Sequence, residues 1–195
     1  MAARLLKTWV AEPSACAYLP GRSASLEYKI MVDVDPDELD ALLERGWRRF
    51  GPAYFRPRCA GCSECVPLRV RAQSFAPSRG QRRIWRRRTR FEARIGPPNI
   101  DDERIALYDA WHGERAQRRG WSPDAIDPVQ YYHQFAFPHP SIRELTLRDR
   151  ETGRLVAVGI VDETPRAMSA VYTFHHPDYR RFSLGSLVIL EQIER

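Results

Sequence analysis

The C-terminal part of the chain carries three strand patterns followed by a helix pattern, and this succession constrains the fold most. The strand patterns are SIRELTLRD, GRLVAVGIVDE and AMSAVYTFHHP, and a short turn through Thr152-Gly153 joins the first two. SLGSLVILEQIER then has the spacing of a helix, as do residues 102–119 before the strands. Consecutive strands flanked by helices predict the α+β class.

The N-terminal part predicts two strands and two helices separated by irregular segments. SLEYKIMVDV alternates like a strand, and a helix follows from Asp35 to Gly46. Residues 1–30 otherwise look irregular. Alternation of apolar residues with arginine predicts a half-buried strand in VPLRVRAQSF. Ser78 and Gln81 have capping-box spacing, so a second helix is expected from there.

A linker candidate, IGPPNID at residues 95–101, divides the chain into two predicted domains. The first, residues 1–95, contains the cysteines and a basic segment, and the second, residues 96–195, contains the strand succession. Because the second ends directly on its last predicted helix, we expect this domain to be incomplete.

The length of the apolar runs and the pattern of the N-terminus argue against membrane and secreted proteins. No apolar run approaches the roughly 18 residues that a membrane span requires, and the N-terminus has no secretory signal pattern. We therefore expect a cytoplasmic protein without membrane partners. Outside an oxidising compartment, the four cysteines are expected to be thiols or metal ligands rather than disulfides.

The net charge of +6 favours a polyanionic partner. Only Lys7 and Lys29 are lysines, so the arginine content also fits a GC-rich genome, and the placement of the arginines matters more than their number. Within RGQRRIWRRRTR, the spacing i, i+3, i+4, i+7, i+8, i+11 places six on one helical face. These are Arg79, Arg82, Arg83, Arg86, Arg87 and Arg90. A phosphate backbone would relieve their repulsion, whereas the simpler interpretation is a solvated basic face.

Three cysteines at a spacing of three form overlapping C-x-x-C pairs in CAGCSECVPLRV, namely Cys59, Cys62 and Cys65. Zinc and iron–sulfur clusters each prefer four ligands, and Cys16 is the one remaining thiolate. Metal binding, a redox role and simple packing of small apolar side chains stay open.

Five blocks of the sequence, taken together and in order, resemble one family. They are CAYLPGR, CAGCSECVPLRV, FAPSRGQRR, SAVYTFHHP and SLGSLVILEQI. The chain is similar to the bacterial aminoacyl-tRNA–protein transferases of the N-degron pathway, in particular to the aspartate/glutamate leucyltransferases. The family ordinarily continues with another strand, which again favours an incomplete C-terminal domain.

The resemblance implies a GNAT-like, that is acetyltransferase-like, C-terminal domain after a cysteine-containing N-terminal domain. It implies transfer of an amino acid from its tRNA ester to the α-amine of a protein that begins with Asp or Glu. The cysteines match family positions where zinc or an iron–sulfur cluster has been proposed, and the Ser78–Arg83 block matches with Gly80 in place of the usual serine. Tyr172, Thr173 and Phe174 match the central transferase strand, so the catalytic site is expected there.

An aminoacyl ester is already activated, so the transfer itself needs no cofactor. The attacking α-amine has a reference pKa of about 7.7–8.0, and a tetrahedral oxyanion needs a donor such as the Tyr172 hydroxyl. The acidic side chain of the acceptor needs a cation, for which Arg22, Arg69 and Arg71 are candidates. His175 and His176 are weaker candidates for a general base.

Three alternatives remain. Arginine could replace leucine as the transferred residue, or the chain could be a non-catalytic metal- and RNA-binding module. A CoA-dependent N-acyltransferase is the third, but RRFSLGSLV is one residue too long for the R/Q-x-x-G-x-G/A signature that binds the CoA pyrophosphate. The sequence does not specify an oligomeric state.

Overall fold

Two antiparallel sheets and their helices build the molecule. The computed structural model describes residues 3–120 and 125–195. Within these ranges it contains two four-stranded sheets, a two-stranded ribbon and five α-helices. The mixture confirms the predicted α+β composition. None of the helices in the described ranges has both the length and the apolar character needed to cross a membrane.

The N-terminal sheet has the order β1-β4-β6-β5 and is covered by a helix on one face. Its strands are β1 Arg4–Val10, β4 Leu26–Val32, β5 Arg48–Phe50 and β6 Ala53–Pro57, and the ribbon pairs β2 Ser14–Ala15 with β3 Ser23–Ala24. Helix α1, Pro36–Glu44, begins where the sequence predicts, and Asp35 caps it by accepting from the Glu38 N–H at 2.8 Å. Its leucines pack with Trp47 and Tyr54 as one buried cluster.

The C-terminal sheet has the order β10-β9-β8-β7 and is covered on both faces. Its strands are β7 Phe91–Gly96, β8 Ile142–Asp149, β9 Leu155–Glu163 and β10 Met168–His175. The helices on it are α2 Arg79–Arg86, α3 Asp102–Arg119 and α5 Leu184–Glu194, while α4 is the short Pro128–Tyr131. On one face, α3 packs with Phe135 and Phe174. On the other, Ile84 and Trp85 of α2 pack beside Leu187 of α5.

The helices and strands with long periodic sequence patterns were predicted correctly. Helix α3 has the expected bounds, and the three strands and the final helix are confirmed. Gly153 turns between β8 and β9 with φ 70°, a conformation that glycine adopts without strain. The Ser78 cap of α2 is also confirmed, because the Gln81 N–H donates to Ser78 Oγ at 3.3 Å.

Two predictions were wrong. Residues 66–71 are irregular rather than a strand, and the Leu68 side chain is 93% exposed, so the alternation does not reflect pairing with a sheet. The segment before β4, expected to be irregular, contains β1 and the two-stranded ribbon, whereas the strand predicted in SLEYKIMVDV is confirmed as β4. Residues 91–96 form β7, which pairs with β8 across the predicted domain boundary. The division at residue 95 stays a prediction, with β7 belonging to the second sheet.

The two sheets meet through a buried polar contact. Arg49 of β5 and Asp162 of β9 form an ion pair whose side chains are only 2% and 1% exposed. Tyr54 lies beside it, with its hydroxyl 3.2 Å from His139 Nε2. Burial, followed by the charge of Arg49, lowers the pKa of His139 to about 3, so its ring is neutral.

The turn between β5 and β6 requires glycine where it meets the second half of the chain. Gly51 has φ 52°, and a Cβ there would lie 2.0 Å from the His133 carbonyl oxygen. Its N–H donates to the Gln134 carbonyl at 3.2 Å. The backbones therefore approach closely only because no side chain intervenes.

Candidate functional site

Strand β10 carries the three residues for which the family resemblance implies a catalytic role. Its pairing with β9 becomes irregular immediately before these residues. The register with β9 shifts between Ala170 and Tyr172, which indicates a β-bulge. Such bulges re-aim side chains. Tyr172 extends toward α3, and its hydroxyl lies 2.9 Å from His112 Nε2.

Aromatic rings hold this tyrosine–histidine pair in place. Tyr108, one turn before His112 on α3, stacks on the imidazole with centroids 4.0 Å apart. Phe135 stacks on Tyr172 at 5.1 Å. His112 is 8% exposed and Tyr172 is half-buried, so the pair lies near the boundary between core and surface.

Thr173 and Phe174 occupy different environments from Tyr172. Phe174 is fully buried and contributes to the core under α3. Thr173 points to the opposite face, where a Cβ added at Gly159 would lie 3.7 Å from its Oγ1. Of the three predicted catalytic residues, Tyr172 alone therefore presents a polar group on the α3 side.

His175 and His176 lie at the end of β10, at the start of the connection to α5. Burial lowers the pKa of His175, and its Nδ1 has no hydrogen-bond partner in the described part of the chain. His176 caps the short 3-10 turn at Pro177–Phe182, and Arg154 Nη2 lies 2.7 Å from its Nε2. Capping suits His176 to a structural role.

The basic face of α2 is shorter than the sequence predicts. The α-helix ends at Arg86, and residues 87–90 continue as a 3-10 helix, which changes the angle between successive side chains. Arg79, Arg83 and Arg86 line one surface cavity of about 360 Å³ together with Gly80.

The six predicted arginines divide into unpaired and paired groups. Arg90 binds Asp149 at 2.9 Å and Glu151 at 2.6 Å, and Arg87 donates to the Arg181 carbonyl. Arg82 donates to the Pro77 carbonyl at 2.6 Å. Within residues 3–120 and 125–195, no carboxylate forms an ion pair with Arg79, Arg83 or Arg86.

The structure brings three of the four cysteines to one cavity. Cys59, Cys62 and Cys65 line a cavity of about 390 Å³ with arginine side chains, and Cys16 does not line it. All four are free thiols, and Cys59 Sγ contacts the Ser25 N–H at 3.4 Å. No group of three His, Cys, Asp or Glu in the described ranges is arranged to hold a metal ion. Metal binding at the cysteines therefore stays a prediction.

The three arginines predicted for the acceptor lie on exposed loops. Arg22 closes the turn after β2, where its carbonyl accepts from the Cys16 N–H at 2.9 Å. Arg69 and Arg71 lie on the irregular segment after the cysteines, and the charge of Arg69 helps to lower the pKa of Arg48. Arg69 is thus near the N-terminal sheet.

Two family models match the chain along most of its length. Residues 14–83 match the arginine-tRNA-protein transferase N terminus, and residues 103–195 match the C terminus of the same family. The chain belongs to this aminoacyl-tRNA–protein transferase family. The matched segments contain the cysteines, most of α2, His112 and the whole of β10.

Curated relatives narrow the branch of the transferase family. The aspartate/glutamate leucyltransferase of Thiobacillus denitrificans is 37% identical over 92% of this chain and 73% of that protein. Those of Pseudomonas fluorescens and Helicobacter hepaticus are 34% and 31% identical, covering 96% and 97% of this chain and 79% and 78% of theirs. The likeness to leucyltransferases thus extends along nearly all of the chain.

A solved structure, that of L-PGS from Bacillus licheniformis, aligns with a TM-score of 0.44 and 15% identity. The alignment covers 80% of this chain, which spans somewhat less than half the length of that protein. This similarity is too slight to establish a common fold.

Sequence reasoning missed His112. A single histidine on an amphipathic helix gives no local sign of function, and its partner Tyr172 is 60 residues away in sequence. The usable signal was its spacing of four from Tyr108 on α3, which predicts that the two rings share a face.

Proposed function

We propose that this protein transfers leucine from leucyl-tRNA to the N-terminal α-amine of proteins that begin with Asp or Glu, and so marks them for degradation. Membership of the transferase family and the leucyltransferase relatives support the reaction class. The observation that carries the chemistry is the Tyr172–His112 contact of 2.9 Å at the β10 bulge. The cytoplasm, where charged tRNA is available, is the proposed location.

The proposed role of Tyr172 is to stabilise the tetrahedral oxyanion. Attack of the neutral amine on the ester carbonyl forms a C–N bond and places negative charge on the carbonyl oxygen. Collapse of this intermediate breaks the bond to the ribose oxygen, which leaves with a proton from the amine. The hydrogen bond from a preorganised hydroxyl at a half-buried position becomes stronger as this negative charge develops.

His112 is proposed as a positioning residue. When its Nε2 carries the proton, the imidazole donates to the Tyr172 oxygen, and the hydroxyl hydrogen is directed to the oxyanion. Stacking on Tyr108 fixes the plane of the His112 imidazole, and the hydroxyl hydrogen of Tyr172 therefore keeps its direction toward the oxyanion.

The unpaired arginines of α2 are proposed to bind the tRNA backbone. Arg79, Arg83 and Arg86 face one cavity without acidic partners in the described ranges, so phosphate oxygens would relieve their mutual repulsion. Arg90, which is neutralised by Asp149 and Glu151, is assigned to the fold instead. The C-terminal domain is proposed to be GNAT-like, and Arg22, Arg69 and Arg71 stay candidates for the acidic acceptor residue.

The direct test is an assay with labelled leucyl-tRNA or arginyl-tRNA and a peptide that begins with Asp. We expect leucine transfer to this peptide and none to a matched peptide that begins with Asn. Transfer of arginine instead would move the protein to the other branch. Absence of transfer from both tRNAs by a folded protein would overturn the proposal.

The Tyr172→Phe variant tests the catalytic assignment separately. Loss of an oxyanion donor lowers kcat by about 100-fold or more. His112→Gln is expected to lower kcat by a smaller factor than Tyr172→Phe and to leave KM for leucyl-tRNA nearly unchanged. The substitution alters the orientation of the Tyr172 hydroxyl and not the binding of the tRNA. Equal rates for Tyr172→Phe and the wild type would remove Tyr172 from the mechanism.

A further inference from the structure

The N-terminal sheet carries a continuous row of aromatic rings on the face opposite α1. Trp9 of β1 stacks on Tyr28 of β4 with centroids 5.0 Å apart and planes 12° apart. Tyr28 lies 6.0 Å from Phe55 of β6, and Phe55 lies 5.6 Å from Phe50 of β5. These four residues are here called the aromatic row.

Strand pairing places the row on one face. Trp9 is the register partner of Tyr28, and Tyr28 is the partner of Phe55, so the three side chains project to the same side. Phe50 follows Arg48, the partner of Phe55, by two residues and therefore shares that side.

The aromatic row stays partly open to solvent. Trp9 is 36% exposed, and Tyr28, Phe55 and Phe50 are half-buried. Several rings in contact with one another and with water form a larger apolar surface than scattered exposed residues do, and such surfaces commonly bind a ligand.

The row leads directly to the candidate catalytic residue. Phe50 lies 6.1 Å from Tyr172 in an edge-to-face contact, and it also packs against the C-terminal core. A ligand lying along the row would therefore end beside the Tyr172 ring.

Cations border the row. The Lys7 ammonium lies 5.2 Å from the centre of the Trp9 ring. Arg48 is the strand partner of Phe55, and its Nη1 donates to the Trp47 carbonyl at 2.6 Å. A phosphate lying along the rings would be placed beside the Lys7 ammonium.

We infer that the aromatic row binds the single-stranded 3′ end of the aminoacyl-tRNA and delivers its terminal ester to Tyr172. Aromatic rings bordered by the Lys7 ammonium match the two parts of a single-stranded nucleic acid, because bases stack on rings and phosphates pair with cations. The row lies on a sheet face rather than an edge, so it offers ring surface rather than backbone groups to a polypeptide. This inference rests on the proposed function and adds to it the surface that holds the reactive end.

The test compares binding of two tRNAs to two variants. Trp9→Leu and Tyr28→Leu remove the rings but keep an apolar side chain on the strand, and Tyr18→Leu is the matched control, since Tyr18 is 81% exposed and outside the row. Fluorescence anisotropy would measure Kd for intact tRNA and for the same tRNA with its single-stranded 3′ end enzymatically removed.

We expect each row variant to weaken binding of intact tRNA by about tenfold. Binding of the trimmed tRNA should be the same in all variants, and Tyr18→Leu should match the wild type with both. Circular dichroism would confirm folding, and Trp9→Leu carries the test if Tyr28→Leu does not fold, because Trp9 lies on an edge strand.

Two results would overturn the inference: an equal loss for intact and trimmed tRNA, or no loss at all. A raised KM for the acceptor peptide with unchanged Kd for both tRNAs would instead assign the row to the polypeptide, and so also contradict it. The outcome is independent of the reaction, because a wild type that transfers no leucine can still distinguish the two tRNAs.

Discussion

The two sheets differ in how many of their faces are covered. The C-terminal sheet is buried between α3 on one side and α2 with α5 on the other, and β9 is buried along eight of its nine residues. The N-terminal sheet is covered by α1 on one side and carries the half-exposed aromatic row on the other. The C-terminal sheet therefore buries apolar side chains on both faces, whereas the N-terminal sheet leaves one face partly exposed, where we propose that a ligand binds.

The same substitution in the two sheets gives the largest contrast. Phe174→Ala empties a fully buried site and should lower the free energy of unfolding by about 4 kcal/mol. Phe55→Ala, at a half-buried site, should cost no more than about 1.5 kcal/mol. Urea denaturation of both variants measures the difference, and equal costs would show that the N-terminal face is also packed.

The ion pair between the sheets should give the next largest effect. Asp162→Asn leaves the buried Arg49 charge without its counterion and should lower the unfolding free energy by about 3 kcal/mol. Replacing both partners, with Arg49→Met and Asp162→Leu, should recover most of this loss, because no charge then remains buried. A double variant less stable than Asp162→Asn would mean that the pair itself holds the sheets together.

Close packing between β9 and α5 predicts a smaller loss of unfolding free energy than the loss expected at the ion pair. A Cβ at Gly159 would lie 2.6 Å from Val188 Cγ1, so Gly159→Ala should destabilise the fold by about 2 kcal/mol. Val188→Ala in the same chain should relieve the clash in part. Gly96→Ala is the matched control, since nothing lies within 4 Å of a Cβ there. Thermal unfolding of the four proteins separates crowding from the general effect of replacing glycine.

The covered sheet was the part that the sequence predicted well, and the reason is physical. Strands β8, β9 and β10 and helix α3 bury one or both faces, so their apolar periodicity is long and clear. β1 is exposed at all seven positions and therefore carries no such pattern. The β5–β6 hairpin was missed although Gly51-Pro52 marks its turn, because each strand is short.

The candidate site was predictable only where residues close in sequence cooperate. Tyr172 was found through a block of neighbouring residues, and the α2 arginines through helical spacing. The change to a 3-10 helix after Arg86 and the acidic partners of Arg90 depend on tertiary contacts. So does the aromatic row, whose members come from four separate strands.

The junction between the sheets also predicts a pH dependence, which is no larger than the Gly159 effect over the range from about pH 7 to about pH 5. An unfolded histidine has a pKa of about 6.5, whereas burial lowers the pKa of folded His139 to about 3. Between these values the unfolded chain binds a proton that the folded chain does not. The free energy of unfolding therefore falls as the pH is lowered through this window, and this contribution is constant above about pH 6.5.

The groups that surround His139 set the control for this prediction. Tyr54 stays neutral, and Asp162, whose pKa is raised by burial, contributes with the opposite sign, since its folded form holds a proton more tightly. His139→Asn removes the titration but keeps an acceptor for the Ser141 N–H, which His139 Nδ1 binds at 3.0 Å. Between about pH 7 and about pH 5, the Tm of this variant should fall less than that of the wild type. If both lose the same amount, the imidazole is protonated in the folded protein, and the contact between the covered and the open sheet is looser than its buried ion pair indicates.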